Sequence, residues 1–214
     1  MNKLTEVVFI LDRSGSMSGR EEFVVKGFND VLREQRQAEG EALISTLLFS
    51  DKSKVLRDRV PIGEVCEMSV RDYCPGGCTA LLDAIGRGIN HIGHLHKRTP
   101  AERVPGKTLF VIITDGLENA SRNYSLGRIK KMISNRQEKY GWEFLFLGAN
   151  IDAISVAEDI GICQKYATTF CCDKTGLDLN FMAVNECIES IRSGKEINPD
   201  WKKRIDEDFL RRGR

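Results

Sequence analysis

Short apolar runs alternate along the chain with stretches in which apolar residues recur at helical spacing. The runs predict strands at residues 6–11, 42–49, 55–60, 108–114, 142–147 and 165–170. The amphipathic stretches predict helices at residues 21–39, 80–95, 125–140, 153–160 and 179–192. Strands that alternate with helices are typical of a mostly parallel sheet covered on both faces. The pattern therefore predicts an α/β fold, an open Rossmann-like three-layer sandwich around a six-stranded sheet.

The third predicted strand differs from the others because polar residues interrupt its centre. Residues 55–60 include Arg57, Asp58 and Arg59, which suit an exposed edge of a sheet. The turn before it, residues 50–52, is very short. A parallel return needs a crossover of about a dozen or more residues, so the third strand must run antiparallel to the second. We expect one antiparallel edge strand on an otherwise parallel sheet.

Polar side chains follow two of the buried runs at the point where each strand ends. Asp12, Ser14 and Ser16 follow the first strand at alternate positions, and Asp115 follows the fourth, before Gly116. Alternate side chains of an extended loop lie on one side, so the first three can converge. In open parallel sheets, ligands bind beyond the carboxyl ends of the strands. These residues are therefore expected to lie together.

Thr79 joins the set because it follows two glycines in a loop and starts a predicted helix at the surface. The set then comprises two carboxylates and three hydroxyls as candidate metal ligands: Asp12, Ser14, Ser16, Thr79 and Asp115. Oxygen ligands suit hard cations, Mg²⁺ first, with Mn²⁺ or Ca²⁺ as substitutes. So few protein oxygens leave metal positions for water or a partner. In the alternative interpretation, Asp12 and Ser14 cap a helix and Asp115 belongs to a turn.

The three stretches together resemble the metal-ion-dependent adhesion site of the von Willebrand factor A (VWA) domain family. The resemblance is to small intracellular bacterial-type members and covers residues 4–193, which leaves residues 194–214 as a charged C-terminal tail. It implies that Asp12 anchors the metal, while Thr79 and Asp115 alternate between direct and water-mediated contact. It also implies a metal-dependent scaffold or adaptor, not an enzyme, that docks an Asp or Glu carboxylate of a protein partner on Mg²⁺.

A metal-assisted phosphatase or phosphotransferase is the alternative function, with an aspartate and Mg²⁺ at the strand end. Such an enzyme needs a lysine for the phosphoryl group, and Lys107 and Lys130 are the candidates near the later stretches. The sequence has neither a Walker-type phosphate loop nor a Gly-x-Ser-x-Gly elbow. Arg13, inside the first loop, either attracts an acidic partner or is simply solvated.

Composition gives no sign of nucleic-acid or membrane binding. The 214 residues carry a net charge of +1 and are 41% hydrophobic, enough for a full core. No apolar window approaches the roughly 18 residues of a membrane span, and the first residues lack a signal peptide's layout. Seven cysteines, an odd number, argue against a disulfide framework. We therefore expect a cytoplasmic protein whose basic end, residues 211–214, is a solvated tail.

A second metal site is conceivable at Cys74, Cys78, His91 and His94, because thiols and imidazoles are zinc ligands. His91 and His94 share one face of a predicted helix, whereas His96 points elsewhere. The alternative is buried free thiols beside a partly solvated helix end.

Overall fold

The computed structural model describes residues 3–149 and 151–212, and its strands form one six-stranded sheet. The strands are β1 (Thr5–Asp12), β2 (Ala42–Phe49), β3 (Ser53–Pro61), β4 (Lys107–Thr114), β5 (Glu143–Ala149) and β6 (Ala167–Phe170). Their order across the sheet is β3-β2-β1-β4-β5-β6. All neighbours pair in parallel except β2 and β3, which are antiparallel. The predicted sheet and its antiparallel edge strand are confirmed.

Helices cover both faces of this sheet. They are α1 (Glu21–Gln37), α2 (Leu81–Arg98), α3 (Leu126–Tyr140), α4 (Ala153–Asp159), α5 (Lys174–Arg192) and α6 (Lys203–Arg212). Apolar residues of α1 and α5 pack on one face, and those of α2, α3 and α4 pack on the other. The three-layer α/β architecture predicted from the sequence is confirmed. None of the helices in residues 3–149 and 151–212 is both long and apolar enough to cross a membrane.

The central strand β1 shows why the sequence has continuous apolar runs instead of alternating ones. All eight of its residues are buried, with Phe9 facing one core and Ile10 facing the other. On the first face, α1 and α5 pack closely because Gly27 has no side chain. A Cβ on Gly27 would lie 2.1 Å from the ring of Phe181. The sheet is therefore held rigid from both sides.

The edge strand β3 is irregular, and an ion pair between Arg59 and the buried Glu6 links it to β1. Its pairing with β2 shifts register twice around Thr46, and Arg59 has a left-handed φ of 51°. The Arg59 Nε donates to Glu6 Oε1 at 2.7 Å, and His96 Nε2 lies 2.5 Å from Glu6 Oε2. Glu6 has no solvent exposure. The carboxylate is thus buried together with a cationic partner, which offsets the cost of its desolvation.

Predicted element boundaries agree with the structure to within three residues except at the start of α5, and α6 was not predicted as a helix. Helix α5 begins at Lys174 and not at residue 179, because the Asp173 carboxylate accepts a hydrogen bond from the Gly176 N–H at 2.9 Å. Such an N-cap satisfies one of the unpaired donors of the first turn. Asp173 was not identified as a cap from the sequence, because the first residues of α5 are mostly polar and its apolar periodicity only becomes clear later in the helix.

Residues 194–212, expected to form a charged tail, pack against the rest of the fold, although Arg211 and Arg212 at the basic end are exposed. Trp201 and Ile205 are buried, and the Trp201 Nε1 donates to the Lys165 carbonyl at 2.9 Å. The Thr168 hydroxyl of β6 donates to Asp206 at 2.7 Å. Arg212 makes an ion pair with Asp173 at 2.6 Å. This packing was not predicted because charged residues surround Trp201 and Ile205 in the sequence. Residues 213 and 214 lie outside the part of the chain that the structure describes.

We expect Trp201→Ala to lower the free energy of unfolding by about 3–5 kcal/mol, because it empties a buried site beside β6. Leu210→Ala, a control on α6 whose side chain is 80% exposed, should change it by less than about 0.5 kcal/mol. Chemical denaturation followed by circular dichroism measures both. Small and equal effects would show that the segment after α5 does not pack on the sheet.

Candidate functional site

The candidate residues lie at the centre of the sheet, between β1 and β4, where the strand order changes direction. β1 and β4 are neighbours, and Leu11 pairs with Ile113, so both strands end side by side. From this point the strand order runs outward in opposite directions, which opens a crevice at the carboxyl edge. The loops after these strands carry Asp12 and Asp115. The topology alone therefore explains why two distant stretches meet.

Asp12 is fixed by two hydrogen bonds at the end of β1. Its Oδ1 accepts from the Ser14 N–H at 2.7 Å, and its Oδ2 accepts from the Thr114 hydroxyl at 2.6 Å. The side chain is buried. Burial raises the pKa of Asp12, and the nearby charge of Asp115 raises it further, although the hydrogen bonds act in the other direction. The carboxylate is thus held in one orientation but is poorly compensated electrically.

Ser14, Ser16 and Asp115 form a chain of hydrogen bonds across the crevice. The Ser14 and Ser16 hydroxyl oxygens are 3.0 Å apart, and the Ser16 hydroxyl donates to Asp115 Oδ1 at 2.6 Å. Asp115 is 3% exposed, whereas Ser16 is exposed. The other oxygen of Asp115, Oδ2, is buried and has no hydrogen-bond partner among the described residues. The site is therefore open to solvent at Ser16, and on its buried side Asp115 Oδ2 has no hydrogen-bond partner in the described residues.

Thr79 reaches the same space from the loop before α2. A Cβ placed on Gly116 would lie 3.1 Å from Thr79 Oγ1 and 3.7 Å from Ser16 Oγ, so both hydroxyls face this glycine. Within the described residues, the Thr79 hydroxyl makes no hydrogen bond. Thr79 was expected at the surface but is buried, at 3% exposure, because the loop that follows Asp115 covers it. The structure thus brings all five candidate residues together.

Asp12 and Asp115 differ from two other buried carboxylates of this protein, Glu6 and Asp208, because those two are paired with cations. Glu6 is paired with an arginine, and Asp208 is paired with two. No ion pair reaches Asp12 or Asp115 in the part of the chain that the structure describes. Two adjacent buried anions without a cation are unfavourable, and an unpaired oxygen adds to that cost. With three neutral hydroxyls beside them, this donor set fits a hard divalent cation such as Mg²⁺.

The suggested zinc cluster does not form. In residues 3–149 and 151–212, no three His, Cys, Asp or Glu side chains converge as a metal site. His91 pairs with Asp58 at 2.8 Å, and His94 Nδ1 lies 2.8 Å from the Asn90 carbonyl of its own helix. Cys74 and Cys78 are exposed, so the expectation of buried thiols is wrong for them. The candidate Mg²⁺ site contains only two such side chains, Asp12 and Asp115, because its other three residues carry hydroxyls.

Several residues that hold the site were not identified from the sequence. The buried Tyr73 hydroxyl donates to the Asp12 carbonyl, and Arg20 donates to the carbonyls of Ser16 at 2.9 Å and Cys172 at 2.7 Å. Arg13 donates to the Cys74 carbonyl at 2.9 Å, so its guanidinium is engaged with the neighbouring loop. Tyr73 lies 61 residues from Asp12, and no local pattern signals such a contact.

The sequence matches no protein-family model, and no curated protein matches it. The structure, however, is similar to solved ones. The von Willebrand factor type A protein from Catenulispora acidiphila superposes with a TM-score of 0.55 over 86% of this chain and 42% of that one, at 16% identity. BatB, a conserved hypothetical protein from Bacteroides thetaiotaomicron, gives 0.53 over 89% of this chain and 100% of that one, at 14% identity. This chain has a VWA-like fold.

Proximal thread matrix protein 1 from the mussel byssus is also similar. Its TM-score is 0.62 over 87% of this chain and 46% of that one, at 15% identity. The chain thus spans less than half the length of two of these three proteins. Identities this low establish a shared VWA-like fold and nothing further about partners or activity.

In the presence of a chelator, we expect Asp115→Asn to raise the free energy of unfolding by about 1 kcal/mol. The substitution removes one of two adjacent buried charges but keeps the Oδ1 acceptor for Ser16. Thermal melting in EDTA measures the change. Asp200→Asn removes an exposed aspartate remote from this hydrogen-bonded set and serves as the control. A clear loss of stability in Asp115→Asn would mean that the charge of Asp115 is compensated within the fold.

Proposed function

We propose that this protein is a metal-dependent protein-binding module that acts as a scaffold or adaptor. One observation carries the proposal. The carboxylates of Asp12 and Asp115 are buried together without a cation, and Asp115 Oδ2 has no partner among the described residues. The hydroxyls of Ser16 and Thr79 face the same space. A VWA-like fold with this donor set supports the binding of Mg²⁺, with Mn²⁺ or Ca²⁺ as substitutes.

The charged and the neutral residues of the proposed site would have different roles. Asp12 would anchor the cation because its carboxylate is already oriented by Ser14 and Thr114. Ser14, Ser16 and Thr79 would add neutral oxygens, which leave more of the positive charge uncompensated than further carboxylates would. Bound Mg²⁺ would supply that charge to a ligand from outside. Because Ser16 is exposed, the open side of the site is where an external group would arrive.

The partner is proposed to be a protein that offers an Asp or Glu carboxylate. A carboxylate is a hard oxygen ligand, and its negative charge complements the charge left at the site. Leu117, directly after Gly116, is 61% exposed and adds an apolar contact beside the proposed docking point. A metal contact flanked by an apolar side chain suits specific but reversible association.

The positions of the two candidate lysines weaken the phosphatase alternative. Lys107 begins β4 whereas Asp115 follows its end, so about 25 Å of strand separates their backbones. Lys107 is paired with Glu143 at 3.3 Å. Lys130 lies in α3, where its backbone and Cγ pack against Gly161. Lys107 is therefore too far from the strand ends to contact a phosphoryl group there, and Lys130 is an exposed residue of α3 with no contact to the candidate site in the described part of the chain, which favours binding over catalysis.

We expect one Mg²⁺ or Mn²⁺ to bind per chain, and Asp12→Ala to abolish binding because it removes the anchoring carboxylate. Titration calorimetry on both proteins measures this. Mg²⁺ at one hundred times its dissociation constant should also stabilise the wild type by about 2.7 kcal/mol, but not Asp12→Ala. Metal binding that survives in Asp12→Ala would place the site elsewhere and refute the proposal.

Partner capture should require the same metal. We expect a pull-down to succeed with Mg²⁺, to fail with EDTA and to recover when Mg²⁺ is restored. Thr79→Ala should weaken capture strongly yet cost less stability than the about 2–5 kcal/mol of a buried Leu→Ala, since its hydroxyl makes no hydrogen bond in the described part. Thr99→Ala, at the other end of α2, is the matched control. A Thr79→Ala protein that captures every Mg²⁺-dependent partner would exclude the metal as the docking point.

A further inference from the structure

Thr79 is held in the site by a single residue of the loop that follows Asp115. The side-chain Oδ1 of Asn119 accepts a hydrogen bond from the Thr79 N–H at 2.9 Å. The backbone N–H of Asn119 donates to the Thr79 carbonyl at 3.0 Å. Both backbone groups of Thr79 are therefore bound to one residue that lies 40 positions away in the sequence.

The loop that carries Asn119 is itself fixed to the start of α2. Glu118 Oε2 accepts from the Leu82 N–H at 2.9 Å, and its Oε1 accepts from the Ser121 N–H at 2.7 Å. In return, the Asp83 carboxylate of α2 accepts from the N–H of Asn123 at 2.9 Å. Residues 116–124 and the first turn of α2 thus form one rigid unit.

Thr79 lies just before α2 and is hydrogen-bonded to this unit, which follows directly on Asp115. Asp12, Ser14 and Ser16 belong to a different loop, which pairs with residues 76 and 77 through the Gly15 N–H and the Arg13 carbonyl. Since the Thr79 hydroxyl makes no hydrogen bond of its own in the described residues, its position depends on how its backbone is held. Loss of the Asn119 side chain would free the Thr79 N–H while the rest of the loop kept its anchors.

We propose that Asn119 is a positioning residue that places the Thr79 hydroxyl at the metal and couples it to Asp115. The inference rests on the proposed function, because it assigns a role within the same metal site. Asn119 is not one of the five candidate ligands. It fixes one neutral ligand against the loop of the second carboxylate, so that the two reach the metal together.

The test uses variants of the 214-residue chain titrated with Mg²⁺ by calorimetry, together with melting in EDTA. Asn119→Ala should weaken Mg²⁺ binding about 10-fold to 100-fold, the usual cost of losing a residue that orients a ligand. Asn119→Asp keeps an oxygen acceptor for the Thr79 N–H and should restore affinity. Asn123→Ala is the matched control, since its side chain donates to Asp83 at 2.6 Å in the same loop but not to Thr79.

A merely structural role predicts a different result. Asn119→Ala and Asn123→Ala each remove one hydrogen bond of this unit, so loop loosening would weaken metal binding equally in both. Equal losses, or a failure of Asn119→Asp to restore affinity, would overturn the inference. The electron paramagnetic resonance spectrum of bound Mn²⁺ adds a direct readout, which should change in Asn119→Ala and not in Asn123→Ala.

The outcomes also separate this inference from the proposed function. If Asp12→Ala binds Mg²⁺ like the wild type, the proposed function itself is wrong. If Asp12→Ala abolishes binding while Asn119→Ala retains full affinity, only the role of Asn119 is wrong. Should Asn119→Ala fail to fold, Asn119→Gln serves in its place, because it keeps the amide but moves the acceptor by one methylene, and the same loss is expected.

Discussion

The repulsion between two buried carboxylates governs the carboxyl edge of this sheet. Asp12 and Asp115 end neighbouring central strands, and their proximity follows from the strand order itself. The fold keeps them in place with hydroxyl donors, from Thr114 to Asp12 and from Ser16 to Asp115, instead of cations. Hydrogen bonds orient a charge without neutralising it. The arrangement is therefore stable enough to persist yet remains electrically incomplete.

The surrounding loops show how that incomplete site is kept rigid. On one side, Tyr73 and Arg20 hold the backbone of the first loop. On the other, Glu118 accepts a hydrogen bond from the Leu82 N–H of α2, and Asp83 of α2 accepts one from the Asn123 N–H, which together tie the loop after Asp115 to that helix. The two sides meet through the Ser16–Asp115 hydrogen bond, which is partly exposed. Both halves of the candidate site are thus held by their own hydrogen bonds, and a partly exposed hydrogen bond joins them.

Much of this was predictable from local patterns, and the remainder depends on long-range contacts. Apolar runs identified the six strands, and a very short turn fixed the antiparallel edge, because both are consequences of nearby residues. The spacing of Asp12, Ser14 and Ser16 correctly indicated convergence. The burial of Thr79 and the role of Tyr73 were missed, since both depend on loops that approach from elsewhere in the chain. Whether the five residues bind a metal stays a prediction.

The packing of the C-terminal segment has a consequence for the outer strands. The amino group of Lys202 donates to the Ala167 carbonyl of β6 at 2.7 Å, so this segment occupies one backbone acceptor that an edge strand would otherwise offer to another chain. At the opposite edge, β3 is broken by register shifts and carries Arg57, Asp58 and Arg59. Both borders of the sheet are thereby made poor templates for strand addition. Strand addition between copies of this protein is therefore disfavoured at both edges of the sheet.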